Sequence, residues 1–548
     1  MGNREIVSRE CKFVVHIPAD GIRPDMHYVK EILTYSDGTS KPNLRRIKDF
    51  KRPYYITKPP YQNHTDKKEA EELVKLNTYY STQSNLGKEV AMRLGPKYIT
   101  KNTLRDVSAS PYVYGLDVSS KTIITKMYKD KYPEAITPYS IAVLDIETDT
   151  ITDTICIISI AKKGKIFTAI LADYIKNNRN LDEQLNYLFN KYIPKVPLTE
   201  NIEKVYKVYN TEIELIKEVF KVAHEWQPDF LTGWNLNYDI NKITEVCNKF
   251  NVDMKDIFSD PSLPEELRYY LYKEGQKSKL TESGKYKPVN PEEQWHSVVC
   301  PASFYIIDAM NAHRYVRVGG KSIPGGYSLD NVLNHELGKE YKKLHMDFID
   351  NLGLTGIEWH RYMVNNRFLE YVIYNQWDVL SIIELDNKTK DLQVSVPVLS
   401  NLSSFDIFNS GPKRIVDALH FFYIDNGLVL GTKPPNADSD KLLGLENWIV
   451  LLPSARIKEN GLRVIAEDPT LITNIRAHTY DSDQTSGYPS DTQAANVSKE
   501  TTVCEVLSIA GHNIEDFKLQ NINLIFGKCN SLEYAQQLLS FPSLYEYK

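Results

Sequence analysis

Three things are scarce in this sequence of 548 residues. Its six cysteines, Cys11, Cys156, Cys247, Cys300, Cys504 and Cys529, are scattered without CxxC or Cys/His spacing. That pattern argues against a structural zinc site of the finger type and for a reducing compartment. No apolar run reaches membrane-spanning length, the start lacks a secretory apolar region, and Ile6 stands where a myristoylation signal wants Ser or Thr. A soluble, intracellular protein without a membrane partner is expected. Positive charge is not in excess: 66 Lys and Arg against 71 Asp and Glu leave a net charge of −5. A uniformly basic nucleic-acid coat is thereby excluded. A nucleic-acid enzyme is not, because metal-binding carboxylates add negative charge where phosphate is cut and a basic strip can be local.

With 42% hydrophobic and 25% charged residues, the composition is that of an ordinary globular protein. The length suggests about three to four domains. Thirty-six tyrosines suit stacking on bases, and they suit an AT-rich coding sequence better.

Residues 1–137 mix short β-like runs, Phe13–Ile17 and Tyr54–Ile56, with a basic segment from Lys41 to Lys58. There Arg45, Arg46, Lys48, Lys51 and Arg52 adjoin Tyr54 and Tyr55, a mixture that suits a phosphate backbone with stacked bases and equally a solvated basic edge. From 138 the pattern is strand, turn, strand, turn, strand: Ser140–Ile146, Thr154–Ala161 and Lys165–Leu171, the last two joined by a hairpin at Lys163-Gly164. Helical spacing follows over Leu181–Ile193 and Glu214–Trp226. A strand at Asp229–Thr232 breaks at Gly233-Trp234-Asn235. Residues 255–300 read as a polar insertion or hairpin, Phe304–Asp308 as a further strand, Lys321–Leu333 as a glycine loop entering a helix near Ser328, and Arg367–Leu385 as a long helix. The fold class expected is α/β, an RNase H-like layer.

The chemistry is concentrated in carboxylates. Ile141–Thr148 is an apolar strand that ends with Asp145 and Glu147, two residues apart and hence on one face. Such a pair repels itself unless a cation intervenes, and hard divalent ions bind through carboxylates plus phosphate oxygens. Asp239 follows at a strand-to-helix break. Asp378 lies four residues after Tyr374, on the same face of a helix. Four acids suffice to hold two Mg²⁺ or Mn²⁺ ions about 3.5–4 Å apart, the arrangement that cleaves phosphodiesters, with the Tyr374 phenol orienting the attacking water.

These residues resemble the 3′→5′ proofreading exonuclease of family B DNA polymerases, in particular the T-even-type bacteriophage branch. Asp145-Ile146-Glu147 is similar to the first exonuclease motif, Gly233–Asp239 to the second, and Tyr374–Val379 to the third, of the tyrosine-bearing kind. Tyr327–Asp330 is similar to the family's Tyr-Ser-Leu-Asp, and Ser404–Asp406 with Lys413 and Asp417 to the segment after the nuclease. The second motif is shorter than usual, with only Leu236 and Asn237 between Asn235 and Tyr238. By this resemblance Asp145, Glu147, Asp239 and Asp378 are metal ligands and Asn235 and Tyr238 contact substrate.

Further on, Asp483-Gln484-Thr485-Ser486-Gly487-Tyr488-Pro489-Ser490 resembles polymerase motif A, with Gly487 in place of leucine, and Asn496–Thr501 continues the match. The resemblance makes Asp483 a metal ligand and Ser486 and Tyr488 nucleotide contacts. No Asp-Thr-Asp motif C follows, and no fingers motif. Two-metal polymerisation needs both palm carboxylates, so polymerisation by this chain alone is not expected.

The resemblance implies the N-terminal subunit of a split polymerase, acting on primer-template DNA and single-stranded 3′ ends. Its organisation would be an N-terminal domain (1–137), an exonuclease domain (138–391), a return of the N-terminal domain with a linker (392–452) and a partial palm (453–548). A second polypeptide would supply fingers, motif C and thumb and carry a sliding clamp, in the cytoplasm of an infected bacterial host. A stand-alone exonuclease and a non-catalytic, RNA-binding regulatory subunit are the alternatives.

Overall fold

The computed structural model describes residues 4–433 apart from short stretches at 66, 101, 176–178, 281–284, 318–322, 345–352 and 355. The motif A residues Asp483, Ser486 and Tyr488 lie outside the described residues. The chain divides into two compact units, one formed by residues up to 52 with 82–84 and 118–421, the other by 53–81, 85–117 and the residues from 422 onward.

In the first unit, β1 (Ile6–Ile17), β2 (Met26–Tyr35) and β3 (Ser40–Lys48) make an antiparallel sheet in sequence order. Helix α1 (Ser120–Lys131) packs on β1 and is capped by the Ser119 hydroxyl, which accepts from the Thr122 backbone N–H.

The second sheet carries the acids. Its members are β4 (Ile141–Thr148), β5 (Ile155–Lys162), β6 (Lys165–Leu171), β7 (Glu203–Tyr209), β8 (Phe230–Gly233) and β9 (Tyr305–Asp308). The order is β7-β6-β5-β4-β8-β9. Strands β4, β5 and β6 form an antiparallel meander, and the two-residue turn Lys163-Gly164, with Gly164 at φ 82°, closes its second hairpin. Strands β8 and β9 run parallel to β4, reached through helical crossovers.

Helices cover both faces, among them α2 (Leu181–Tyr192), which contributes Leu185 and Phe189 to the core. Along β4, Ala142, Leu144 and Ile146 belong to one buried cluster, which includes Ile216, Val219 and Phe220 of α3 (Glu212–Trp226) and Ile240 and Ile243 of α4 (Leu236–Lys249). Ile141 and Val143 face the other cluster, which contains the long helix α5 (Phe368–Thr389). Period-2 alternation therefore turns Asp145 and Glu147, the next residues on the Val143 side, toward α5. Burial on both sides accounts for the nearly continuous apolar runs of β4 and β5.

Element boundaries follow the sequence expectation closely for β6, which spans Lys165–Leu171 as expected, and less closely elsewhere. The first strand begins at Ile6 and not at Phe13, and α5 continues to Thr389, with Leu385 and Asp386 still buried. The polar insertion contains a hairpin, Ser278–Leu280 against Tyr286–Pro288, enclosed by a ladder of Leu271–Lys273 with Ser297–Val299.

Of the two readings of the basic segment, the solvated edge fits its lysines and arginines before Arg52, and base stacking by Tyr54 and Tyr55 does not fit. Arg52, Tyr54 and Tyr55 are core residues at 1%, 0% and 6% exposure and offer no face to a base. Lys41, Arg45, Arg46, Lys48 and Lys51 are exposed. In the second unit, Tyr54 and Ile56 pack with Leu86, Val90 and Val107, and Arg93 donates to the Tyr54 hydroxyl at 3.0 Å.

Candidate metal centre

Two elements bring three of the four acids together. Strand β4 presents Asp145 and Glu147. Helix α5 presents Tyr371, Tyr374, Asn375 and Asp378, which fall at i, i+3, i+4 and i+7 and so share one face. Ligand atoms of Asp145, Glu147 and Asp378 all lie within 4.8 Å of one another, so the three can hold a metal ion.

Asp239 stands outside that set. It is buried in the first turn of α4, following Asn235, which adopts the left-handed conformation at φ 65° and starts the helix. Gly233 makes room for Asp239, since a Cβ there would stand 2.9 Å from the Leu144 carbonyl oxygen and 3.3 Å from Asp239 Oδ2. Asn235 is exposed, and Tyr238, 44% exposed, has its hydroxyl 3.1 Å from Thr148 Oγ1 at the strand end.

Several side chains not singled out in the sequence complete the site. Asn375 Nδ2 donates to Asp145 Oδ2 at 2.7 Å, and the Tyr371 hydroxyl donates to Glu147 Oε2. His360 Nδ1 meets the Tyr371 hydroxyl at 2.8 Å. Lys343 Nζ donates to the Tyr374 hydroxyl at 2.9 Å and to Asp378 Oδ2 at 2.8 Å. The Lys343 segment is itself held by Asp330, whose carboxylate accepts from the Lys343 backbone N–H at 2.9 Å, and by Trp377, whose indole N–H donates to the Lys342 carbonyl at 2.9 Å. This gives the Tyr327–Asp330 stretch a physical role. Asp308, at the end of β9, caps the following helix and accepts from the Leu236 backbone N–H at 3.1 Å, so it anchors the start of α4.

Burial and mutual repulsion push the acids toward their protonated forms. Asp145 is raised to about 7 by desolvation and then by the charge of Asp378. Glu147 is raised well above the usual range by desolvation, then Asp145 and Asp378. Asp239 is raised likewise by desolvation, then by Asp145, Asp308 and Glu147. Asp378 is raised by desolvation, against which the Lys343 ammonium pulls down. Asp378 Oδ1 is buried without a hydrogen-bond partner. Clustered acids that repel one another, with one oxygen left unpaired, form an all-oxygen donor set suited to Mg²⁺ or Mn²⁺.

Searches of protein-family models and of curated proteins found no match to this chain. Among the described residues, no helix is long and apolar enough to cross a membrane.

Proposed function

We propose that the chain is a metal-dependent 3′→5′ exonuclease acting on DNA ends, of the proofreading kind found in family B DNA polymerases. The observation that carries this reading is the convergence of Asp145, Glu147 and Asp378 from a central strand and a helix packed across it. The strand order supports it: an antiparallel meander followed by two strands parallel to its first member is compatible with an RNase H-like layer extended by β7.

Asp145, Glu147 and Asp378 would hold Mg²⁺ or Mn²⁺, with Asp239 next to them. When bound, such ions supply positive charge to the attacking water and to the leaving oxygen of the phosphodiester. The protein's own groups set the geometry. Tyr371 and Asn375 fix the two β4 carboxylates by hydrogen bonds. Because the Tyr374 phenol accepts from Lys343, its own proton is left to orient the attacking water. Asn235 and Tyr238, at the exposed rim, would meet the terminal nucleotide. Each turnover consumes one water, breaks the P–O3′ bond and releases one nucleoside 5′-monophosphate.

The polymerase assignment rests on the resemblance of the Asp483 segment to motif A. Residues completing a palm would come from outside these 548 residues. A 5′-labelled single strand tests the nuclease. With Mg²⁺ it should shorten progressively from its 3′ end, and internal cuts or no cuts would refute the reading. Primer extension on mixing with a chain that supplies motif C tests the polymerase part, and extension by this chain alone would sink it.

A further inference from the structure

A second cluster of metal-ligating side chains lies in the β1–β2 hairpin, apart from the four acids. His16 and His27 are direct partners in the antiparallel register, and their ring centroids lie 4.7 Å apart with the planes tilted by 31°. Asp25, the residue before β2, stands beside them, and ligand atoms of all three lie within 4.8 Å of one another. Asp25 and His27 are 2% and 0% exposed.

Ordinary hydrogen bonding accounts for only part of this cluster. Asp25 Oδ2 accepts from the Ser84 backbone N–H at 2.8 Å and lies 3.1 Å from His16 Nε2. His27 Nε2 lies 2.6 Å from Ser120 Oγ. Asp25 Oδ1 and His27 Nδ1, by contrast, are buried without a hydrogen-bond partner. They stand 3.6 Å apart, too far for a direct hydrogen bond. Leaving such atoms unpaired is costly, and a simple His16–Asp25 ion pair does not satisfy either one.

We propose that His16, Asp25 and His27 bind a single transition-metal ion of the zinc class. A tetrahedral site with 2.0–2.1 Å bonds has ligand–ligand edges of about 3.3 Å. The 3.6 Å between Asp25 Oδ1 and His27 Nδ1 lies close to that value, and His16 Nε2 reaches the other oxygen of the same carboxylate, Oδ2, at 3.1 Å. Two imidazoles with one carboxylate suit zinc and its neighbours and not Mg²⁺. Ser120 Oγ fixes the His27 ring from behind, and the Ser84 N–H holds the carboxylate, as outer partners of metal ligands do. Lys121, whose charge acts on His27, is paired with Asp406 at 2.7 Å. The His16 side chain is 15% exposed and leaves one position open to water. The ion would pin the β1–β2 connection to the start of α1, independently of the nuclease reading.

Zinc competition against a chromophoric chelator, with the metal-free full chain and excess Mg²⁺, tests this. One Zn²⁺ per chain is expected, with Co²⁺ in its place giving the visible absorption of a tetrahedral nitrogen–oxygen site. Affinity should fall about 100-fold in His16→Gln and in Asp25→Asn and about tenfold in Ser120→Ala, and stay unchanged in Asp145→Asn. Circular dichroism verifies folding, and if Asp25→Asn does not fold, His16→Gln at the hairpin edge decides. Absence of saturable Zn²⁺ binding overturns the proposal. So does binding that survives His16→Gln, or binding that Asp145→Asn removes.

Discussion

Lys343 Nζ lies 2.8 Å from Asp378 Oδ2 and so supplies a positive charge directly at one of the converging acids. An ammonium there offsets the repulsion among the carboxylates, and it competes with a divalent ion for the same oxygen.

Replacing Lys343 with Met should therefore act in opposite directions on two measurements. Chemical denaturation without divalent ions should show a loss of about 1–3 kcal/mol, because a buried carboxylate loses its partner, discounted for the partial exposure of Lys343. Isothermal titration should show tighter Mn²⁺ binding. Weaker binding in the variant would mean that Lys343 helps to hold the ion and does not compete with it.

Gly233→Ala should damage the site from outside it. The new Cβ would meet the Leu144 carbonyl and Asp239 Oδ2, and backbone cannot yield as a flexible side chain can. A destabilisation of about 1–3 kcal/mol is expected, with reduced metal affinity from a displaced Asp239. Metal titration of the folded variant checks the second effect.

The pH dependence follows from the raised carboxylates. Asp145 holds its proton up to about 7 in the metal-free folded state and releases it near the ordinary 3.8 when unfolded. Folding thus takes up a proton between these values. The stability contributed by this group is full below about 4 and lost as pH rises through 7. Asp145→Asn should abolish that part of the decline, as pH-resolved denaturation would reveal. Since an ion must displace the proton, Mg²⁺ affinity should rise as pH rises through about 7. Affinity that falls over this range would contradict the assignment.

Much of the site was legible because local periodicities carried it. Alternation along Ile141–Thr148 put Asp145 and Glu147 on one face, and helical spacing put Tyr374 and Asp378 on another. The same spacing extended one turn back reaches Tyr371, and one residue on reaches Asn375, so these two had a readable signal. Lys343 had none: it comes from a different segment, and only tertiary packing through Asp330 and Trp377 brings it to α5. The His16–Asp25–His27 cluster was hidden because its spacing matches no familiar ligand motif, and only the hairpin register juxtaposes the rings. Tyr54 and Tyr55 left two readings open, because a basic-aromatic run looks the same whether its rings face solvent or a core.

Tyr374→Phe should keep the fold and lower turnover. In the proposed mechanism the phenol orients the attacking water, and losing one positioning hydrogen bond costs about 10- to 100-fold in kcat. KM for a single-stranded oligonucleotide should change little. An unchanged kcat would remove Tyr374 from the mechanism.

The most direct measurement compares the 3′-end trimming rate of a single-stranded oligonucleotide by the native chain and by the Asp145→Ala/Glu147→Ala variant, at saturating Mg²⁺. The native chain should trim, stop on chelation and resume when Mg²⁺ is restored, and the variant should be slower by about 1,000-fold or more while remaining folded. Trimming that persists in the variant, or that ignores chelation, would contradict the assignment of the four acids as a metal-dependent nuclease centre.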